Sequence, residues 1–244
     1  MKKILTLLSA MLLGAACLNA QNEVDHFTGK SGKNIDIYCI KHGTLSINAG
    51  GKWIHIDPVS DKIPPVTDYS AMEKADLILV THDHGDHLDS KAIDQLFKAS
   101  TVIVSNPGSQ KQIAHDVLTM SNGDSKTIGD ITIEAVPAYN NSAEKQNFHP
   151  KGRDNGYIIN YDGVRIYIGG DTEDIDEMKD IKNIDIAFLP CNLPYTMTPE
   201  QLERAAKTVN PRILFPYHYG QTDMQKVQNL LAGSGIEVRI RQYQ

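Results

Sequence analysis

Hydrophobic residues along this chain occur in short runs separated by turns that are rich in glycine, proline and aspartate. Apolar residues at every second position are typical of β-strands, and a period of three to four is typical of amphipathic helices. The pattern predicts strands at Ile35–Ile40, Thr44–Asn48, Lys52–Asp57, Asp76–Thr81, Thr101–Ser105, Ile131–Val136, Tyr157–Tyr161, Val164–Ile168, Ile184–Leu189, Arg212–Phe215 and Ile236–Ile240. It predicts helices at Ser90–Ala99, Pro107–His115, Pro199–Thr208 and Thr222–Ala232.

The two halves of the chain repeat one order of elements, with hairpin strands first and strand–loop–helix units afterwards. Ala49–Lys52 and Asp162-Gly163 are hairpin turn signals, one in each half. This order predicts sheets that carry helices on their outer faces. Pro137–Asn155 shows no periodicity, and a loop of that length inside a compact domain is usually functional.

Composition narrows the class of protein. The chain of 244 residues is 41% hydrophobic and 22% charged, which is ordinary for a globular protein. Its formal net charge of -6 provides no basic face, so we expect no nucleic-acid partner.

The first twenty residues have the pattern of a secretory signal peptide. Lys2 and Lys3 precede an apolar run, Ile4–Leu13, that is too short to span a membrane, and small residues follow. We expect cleavage after Ala20, export to the periplasm or the exterior, and one mature domain over residues 21–244. A lipid anchor at Cys17 is the alternative, whereas a stable membrane span is not expected.

A dense cluster of ligand-type side chains follows the apolar run Leu77–Val80. Three histidines and two aspartates stand in the seven residues Thr81–His87. The chain contains only 9 histidines, and residue frequencies give about 0.001 chance matches to His-x-His-x-Asp-His. A polar turn has no use for three imidazoles, whereas imidazole and carboxylate are the usual ligands of zinc and related ions.

Further ligand-type residues follow later strands of the prediction. His149 lies in the loop after Ile131–Val136, Asp171 follows Val164–Ile168 and Gly169-Gly170, and His218 follows Arg212–Phe215. A rigid sheet commonly positions catalytic groups on the loops at its strand ends.

In order and rough spacing, these residues resemble the metallo-β-lactamase superfamily of metal-dependent hydrolases. The likeness extends from about Ile35 to Ile240 and is greatest to the single-domain branch of ascorbate-phosphate lactonase and phospholipase-D-like hydrolases. The local matches are Pro137-Ala138, Gly169–Thr172, Met197–Glu200 and Pro216–Gly220. The resemblance implies an α/β (α+β) fold, a four-layer αββα sandwich of two mixed β-sheets.

The resemblance also implies a site for two metal ions. His82, His84 and His149 would hold one ion, and Asp86, His87 and His218 the other. Asp171 would bridge the two ions, and Asp86 would also orient the nucleophile or move its proton. Asp57 would hydrogen-bond to the second ring nitrogen of a metal-binding histidine or to amides of its loop.

Each later position has an alternative role. Asp171 could cap a helix near Glu173–Met178, His218 could be a packed histidine at a strand end, and Asp57 could be a turn residue. Related sequences place the histidine directly after Pro-Ala, so His149 stands later than the pattern expects. His115 is its rival, although it lies in a helical pattern.

Other residues receive weaker predictions. Five could line a substrate pocket, although capping and packing would also explain them: Asn140, Asn141, Asn192, Tyr195 and Tyr217. Cys39 and Cys191 could pair in an exported protein, but buried structural thiols suffice. His26, His42 and His55 have no partner pattern and are assigned to surface or strand positions.

The sequence therefore predicts a hydrolase with two divalent ions, acting on an ester, a lactone or a phosphodiester of small size. Zinc, manganese and iron all suit histidine and carboxylate ligands. An iron-dependent oxidoreductase or dioxygenase on the same ligands is one alternative. A non-catalytic metal-binding protein is another.

Overall fold

The computed structural model describes residues 23–243, which form two seven-stranded β-sheets and three α-helices. The first sheet contains β1 (Val24–Thr28), β2 (Asn34–Lys41), β3 (Thr44–Ala49), β4 (Lys52–Ile56), β5 (Leu77–Val80), β6 (Val102–Ser105) and β7 (Val117–Thr119). The second contains β8 (Ser125–Ile128), β9 (Ile131–Ala138), β10 (Asp154–Tyr161), β11 (Val164–Ile168), β12 (Ile186–Pro190), β13 (Ile213–Tyr217) and β14 (Glu237–Val238). The helices are α1 (Ser90–Leu96), α2 (Pro199–Val209) and α3 (Met224–Leu230).

Both sheets have the same topology. Their strands lie side by side in chain order, β1 to β7 in one sheet and β8 to β14 in the other. The first four strands of each sheet pair antiparallel, and the last four pair parallel. Each sheet is therefore mixed, which confirms the prediction and explains why the two halves share one order of elements.

Alternating side chains place three hydrophobic layers around the sheets. Leu77 and Leu79 of β5 point into the core between the sheets, whereas Ile78 points outward to the layer beneath α1. Helices α2 and α3 cover the outer face of the second sheet, where Tyr167 and Leu214 lie beneath them. The layers are thus helix, sheet, sheet and helix, as predicted.

The predicted helix at Pro107–His115 is wrong. The segment contains only a short 3-10 helix at Ser109–Gln112, and Ile113 returns to an extended conformation. The chain then enters β7, which pairs with β6 in parallel. Lateral hydrogen bonding to the sheet therefore overrides the weak helical periodicity.

Three strands at sheet edges carry little hydrophobic signal. Strands β1 and β8 lie at the outer edges of the two sheets, and β7 closes the other side of the first sheet. Strand β8 reads Ser-Lys-Thr-Ile and is mostly exposed. Edge strands with charged residues are common because they discourage pairing with other chains, and the same feature hides them from pattern analysis.

The first and last strands of the chain are joined by a carboxylate clamp. Asp25 of β1 is only 4% exposed and accepts hydrogen bonds from the guanidinium groups of Arg239 and Arg241. The clamp links the outer edge of the first sheet to the segment around β14 of the second sheet. At the opposite side the sheets are joined by the short connection between β7 and β8.

None of the helices within residues 23–243 is long and apolar enough to cross a bilayer. The predicted signal peptide at residues 1–20 and the alternative anchor at Cys17 lie outside the described residues.

Candidate metal centre

The loop after β5 is organised by one buried aspartate. Asp57 accepts hydrogen bonds from the Thr81 amide at 2.7 Å, from the Thr81 hydroxyl at 2.6 Å and from His87 Nδ1 at 2.8 Å. His82 Nδ1 lies 3.0 Å from the same hydroxyl, which leaves it in position to donate there. Both imidazoles therefore engage Nδ1 in hydrogen bonds and present Nε2 on the opposite side, as metal-binding histidines do.

A first cluster of ligand atoms combines this loop with the long loop of the second sheet. His82, His84 and His149 each offer a ring nitrogen, and the ligand atoms lie within 4.8 Å of one another. The structure thus brings His149 to the cluster, whereas the rival His115 bonds to Asp94 and stacks on Phe97 at the surface.

A second cluster lies next to the first. His218 Nε2 is 3.4 Å from Asp86 Oδ2, and His87 Nε2 is 3.8 Å from the same oxygen. Ligand atoms around a tetrahedral ion with bonds of about 2.1 Å are separated by about 3.4 Å. The distances between these nitrogen and oxygen atoms are therefore close to those expected between the ligands of one bound ion.

Asp171 stands between the two clusters and offers one oxygen to each. Its Oδ1 lies 3.4 Å from His87 Nε2 and 3.6 Å from His218 Nε2, while its Oδ2 lies 3.3 Å from His149 Nε2. The 3-10 helix that follows starts only at Asp176 and is preceded by Ile175, so Asp171 does not cap it.

Several polar atoms at this centre are buried without a hydrogen-bond partner among residues 23–243. They are Nε2 of His82, His87, His149 and His218, and Oδ1 of Asp171. An unpaired buried polar atom costs about 1–3 kcal/mol. Since all five atoms belong to the two clusters, the donor set fits divalent ions that would satisfy them together.

The main chain approaches the candidate ligands closely at two glycines. Gly170 has a φ of +64°, and a Cβ there would lie 3.0 Å from the Asn155 carbonyl oxygen and 3.3 Å from Thr81. At Gly43 a Cβ would lie 2.8 Å from the ring of His87. Both glycines therefore allow the main chain to pass directly against the centre.

The charges of the cluster residues follow from burial and mutual contact. Burial lowers the pKa of His82 and His84, so these imidazoles are neutral and able to ligate. Burial also lowers the pKa of His87, but Asp171 and Asp57 outweigh it and raise that pKa to about 10. The two carboxylates therefore stabilise positive charge at the second cluster, and a divalent ion would supply such a charge.

His42 is a residue of the centre that the sequence assigned to a surface or strand position, and that assignment is wrong. Its Nε2 donates to Asp86 Oδ2 at 3.1 Å, and its ring centroid lies 3.7 Å from that of His218. The His42 carbonyl oxygen also accepts a hydrogen bond from the His218 amide. No local pattern marks His42, because its partners lie 44 residues or more away in the chain.

The backbone at the centre is unusual as well. His42, Asp57 and His218 have φ angles of 49°, 45° and 46°, in the left-handed region that residues with a Cβ rarely adopt. Such conformations concentrate at functional sites, where the surrounding structure enforces them.

A cavity of about 420 Å³ opens over the two clusters, and we call it the metal cavity. Its lining residues are His42, Ile63, His84, Asp86, Phe148, His149, Asp171, Asn192, Tyr195 and His218. Of the residues predicted to contact substrate, Asn192 and Tyr195 line this cavity.

The other predicted pocket residues have different surroundings. Asn140 is enclosed by its own loop, donates to the carbonyl oxygens of Lys145 and Tyr195, and lies 3.1 Å from His149 Nδ1. Asn141 is exposed and donates to the carbonyl oxygen of Asp174. Tyr217 is fully buried in the core between the sheets.

Cys39 and Cys191 are both buried free thiols, so the structure contains no disulfide between them. Cys39 lies in the core between the sheets, whereas Cys191 lies in the outer layer beneath α2 and α3.

Residues 36–218 match the family model of the β-lactamase superfamily domain. A crystal structure of a metal-dependent hydrolase from Parabacteroides distasonis is 50% identical, with a TM-score of 0.88, covering 92% of this chain and 100% of its own. A metallo hydrolase from Ignicoccus hospitalis, Igni18, is 24% identical with a TM-score of 0.72, covers 86% of this chain and 95% of its own, and shares the fold.

Among curated relatives, a UPF0173 metal-dependent hydrolase of Thermococcus kodakarensis is 36% identical over 179 residues, which are 70% of this chain and 78% of the relative. A relative from Anoxybacillus flavithermus with the same family description is 30% identical and covers 82% of this chain and 94% of its own. From the family match and these identities, the chain belongs to the β-lactamase superfamily and, within it, to the UPF0173 family of metal-dependent hydrolases.

Proposed function

We propose that this protein is a binuclear metal-dependent hydrolase of a small ester, lactone or phosphodiester. The observation that carries the proposal is the position of Asp171, whose two oxygens face separate histidine clusters. A carboxylate placed in this way would be able to contribute to the binding of an ion at each cluster. The names of the relatives support the hydrolase class.

Two divalent ions, when bound, supply a water of lowered pKa as nucleophile and positive charge for the oxygen that becomes anionic. Of the chain's own groups, Asp86 is placed to orient the nucleophile, because its side chain lines the metal cavity and is one-third exposed. Burial raises the pKa of Asp86, but its contacts with the imidazoles of His218 and His42 outweigh burial and hold that pKa well below its usual range. The carboxylate is therefore ionised and able to orient a donor.

The metal cavity itself sets limits on the substrate. Its volume of about 420 Å³ suits a small molecule. Apart from the ligand residues and His42, its walls are the apolar or uncharged side chains of Ile63, Phe148, Asn192 and Tyr195. Binding of a charged group would therefore depend on the ions, and the nearby cationic side chain is Arg153, whose guanidinium lies 3.5 Å from His84 Nε2.

The test is metal analysis of the purified protein together with a hydrolysis screen over carboxylic esters, lactones, phosphodiesters, thioesters and β-lactams. We expect two ions per chain, zinc, manganese or iron, and turnover of at least one substrate class. His84→Ala should lose an ion and most of the activity, whereas His115→Ala, which alters a surface histidine, should keep both. Full activity of His84→Ala would refute the proposal, and oxygen-dependent turnover with bound iron would favour the oxidoreductase alternative.

We also propose that the protein is exported. The support is the sequence of residues 1–20, with two lysines before an apolar run and small residues up to Ala20. Cell fractionation and the mass of the mature N-terminus test this. A mature chain starting at Gln21 is expected, a lipid-modified Cys17 would indicate an anchored form, and an uncleaved chain in the cytoplasm would contradict export.

A further inference from the structure

A second cavity of about 320 Å³ adjoins the metal cavity, and we call it the side chamber. The two cavities share His42 and Ile63 as lining residues. The remaining wall of the side chamber consists of Pro64, Tyr219, Gly220, Gln221 and Tyr243. Because the shared residues belong to both walls, the side chamber borders the space above the metal clusters.

His42 places the entrance of the side chamber beside the second cluster. Its imidazole packs on His218 and donates to Asp86, so the ring is held in place from both sides. A molecule held over Asp86 and His218 would therefore reach the side chamber by passing the exposed edge of His42, whose side chain is 23% exposed.

The wall of the side chamber is aromatic and uncharged. Among residues 23–243, none of those that line it is an aspartate, glutamate, lysine or arginine. The Tyr219 hydroxyl is already used, because it donates to the Arg241 carbonyl oxygen at 2.7 Å, so this residue offers its ring. Gln221 adds an amide that can donate and accept. These groups suit a planar, uncharged substituent better than a phosphate or a carboxylate.

The rim between the cavities is fixed in position. Lys41 is fully buried, and its ammonium donates to the carbonyl oxygens of Ser60, Ile63 and Pro65 at 2.7, 2.9 and 2.8 Å. These bonds fix the loop that carries Ile63 into both walls and Pro64 into the wall of the side chamber. The side chamber is thus a preformed part of the site, which lowers the entropic cost of filling it.

We infer that the substrate has two arms on either side of a scissile bond that lies over the metal clusters. One arm occupies the metal cavity. The other, an uncharged aromatic or amide-bearing group, occupies the side chamber. This inference rests on the proposed hydrolase function. It favours an open-chain ester or phosphodiester over a small lactone, because the two arms of a lactone are joined in one ring. Water adds across the bond, and the two arms leave as an acid and an alcohol.

The test compares methyl and benzyl versions of whichever substrate class the metal-loaded enzyme hydrolyses, with each arm varied separately. Methyl and benzyl alcohols are leaving groups of similar strength, so the comparison reports binding of the ring. We expect kcat/KM to rise about tenfold when one arm becomes benzyl, as is usual for an added group that fills a pocket.

Gln221→Trp, which places a large ring in the side chamber, should reduce the benzyl-to-methyl ratio of kcat/KM to near one. Gln225→Trp is the matched control, because Gln225 is exposed on α3 and does not line the side chamber. The control should keep the wild-type ratio. An unchanged ratio in Gln221→Trp, with active enzyme, overturns the inference and leaves the hydrolase proposal intact.

If the wild-type protein hydrolyses none of the substrates, binding of benzyl alcohol measured by ligand-observed NMR separates the two proposals. Saturable binding that is lost in Gln221→Trp and kept in Gln225→Trp supports the side chamber without relying on turnover. Binding that is absent, or equal in both variants, rejects it.

Discussion

Single residues at the candidate metal centre combine a position suited to metal binding with defined hydrogen bonds. Asp171 is 3% exposed, and each of its oxygens faces a different histidine cluster. Asp57, entirely buried, holds His87 and Thr81 from behind. The first residue acts on both clusters directly, whereas the second acts through the residues it holds.

Asp171→Asn should remove at least one of the two ions and lower kcat/KM by at least about 100-fold, because an amide supplies one oxygen and no charge. Metal content per chain and steady-state kinetics measure the two effects. Asp176→Asn is the control, since Asp176 is exposed and lies five residues later. Retention of two ions and full activity by Asp171→Asn would contradict the bridging role.

Asp57→Asn should weaken metal binding by about 10–100-fold, because the amide group cannot accept hydrogen bonds from His87 and from both groups of Thr81. Competition with a chromogenic chelator measures the affinity. Asp61→Asn, at an exposed aspartate nearby, should bind metal as the wild type does. Equal affinities for all three proteins would show that Asp57 has no such role.

At the residue scale the sequence predicts the histidine cluster well, because five ligand-type groups lie within seven positions. The position of His42 at the metal centre could not be predicted from the sequence, and the reason is physical. Its contacts with Asp86 and His218 depend on the sharp turn between β2 and β3, where His42 itself has a positive φ. That juxtaposition exists only after both sheets have formed.

Among the elements, the loop between β9 and β10 owes its ordered conformation to a buried contact. The hydrophobic periodicity of the sequence does not reveal that contact. Glu173 is buried and accepts hydrogen bonds from Lys145 Nζ at 2.8 Å, from the Ser142 amide and hydroxyl, and from Gln201. Lys145 also donates to the Thr196 carbonyl oxygen. This ion pair connects the loop that carries His149 to the segment after β11 and to α2, so a stretch without regular structure becomes ordered.

Glu173→Gln should destabilise the protein by about 3 kcal/mol at pH 6, because it leaves the Lys145 ammonium buried without its counter-charge. Burial opposes ionisation of Glu173, but the bonds from Lys145, Gln201 and Ser142 prevail and lower its pKa to about 2. The stabilisation is therefore complete above pH 4.5, the ordinary pKa, and is lost as the pH falls towards 2.

The measurement is the free energy of unfolding by urea between pH 3 and pH 6 for the wild type and Glu173→Gln. The difference between the two proteins should shrink as the pH falls. Glu144→Gln changes an exposed glutamate of the same loop and should show no such trend. A difference that stays constant with pH would mean that the charge of Glu173 is not what orders the loop.

On the scale of the whole molecule, the candidate ligands come from both halves of the chain. The first sheet supplies His82, His84, Asp86 and His87, and the second supplies His149, Asp171 and His218. The repeated order of strands made the two sheets predictable, because hydrophobic alternation is strong in central strands. The edge strands and the packing of one sheet on the other could not be derived, since they depend on contacts between distant segments.

Bound metal should therefore stabilise the association of the two halves. With free zinc at 100 times its dissociation constant, the expected gain is about 2.7 kcal/mol for each bound ion, which corresponds to a rise of about 5–10 °C in Tm per ion for a chain of this size. Calorimetry of chelated and zinc-reloaded protein measures the shift. His84→Ala should show a smaller shift than His115→Ala, and identical Tm values with and without metal would contradict the prediction.

The clamp at Asp25 has a consequence for solubility rather than for catalysis. An open sheet edge is a template on which a second chain can add a strand. On one side of the sandwich the two sheets are joined covalently, by the peptide connection between β7 and β8. On the side bounded by β1 and β14 they are joined by the Asp25 carboxylate and two guanidinium groups, which come from opposite ends of the described chain. Resistance to aggregation at that side thus depends on three charges. A substitution such as Asp25→Asn would remove the central charge of the clamp and leave that edge open to a second chain.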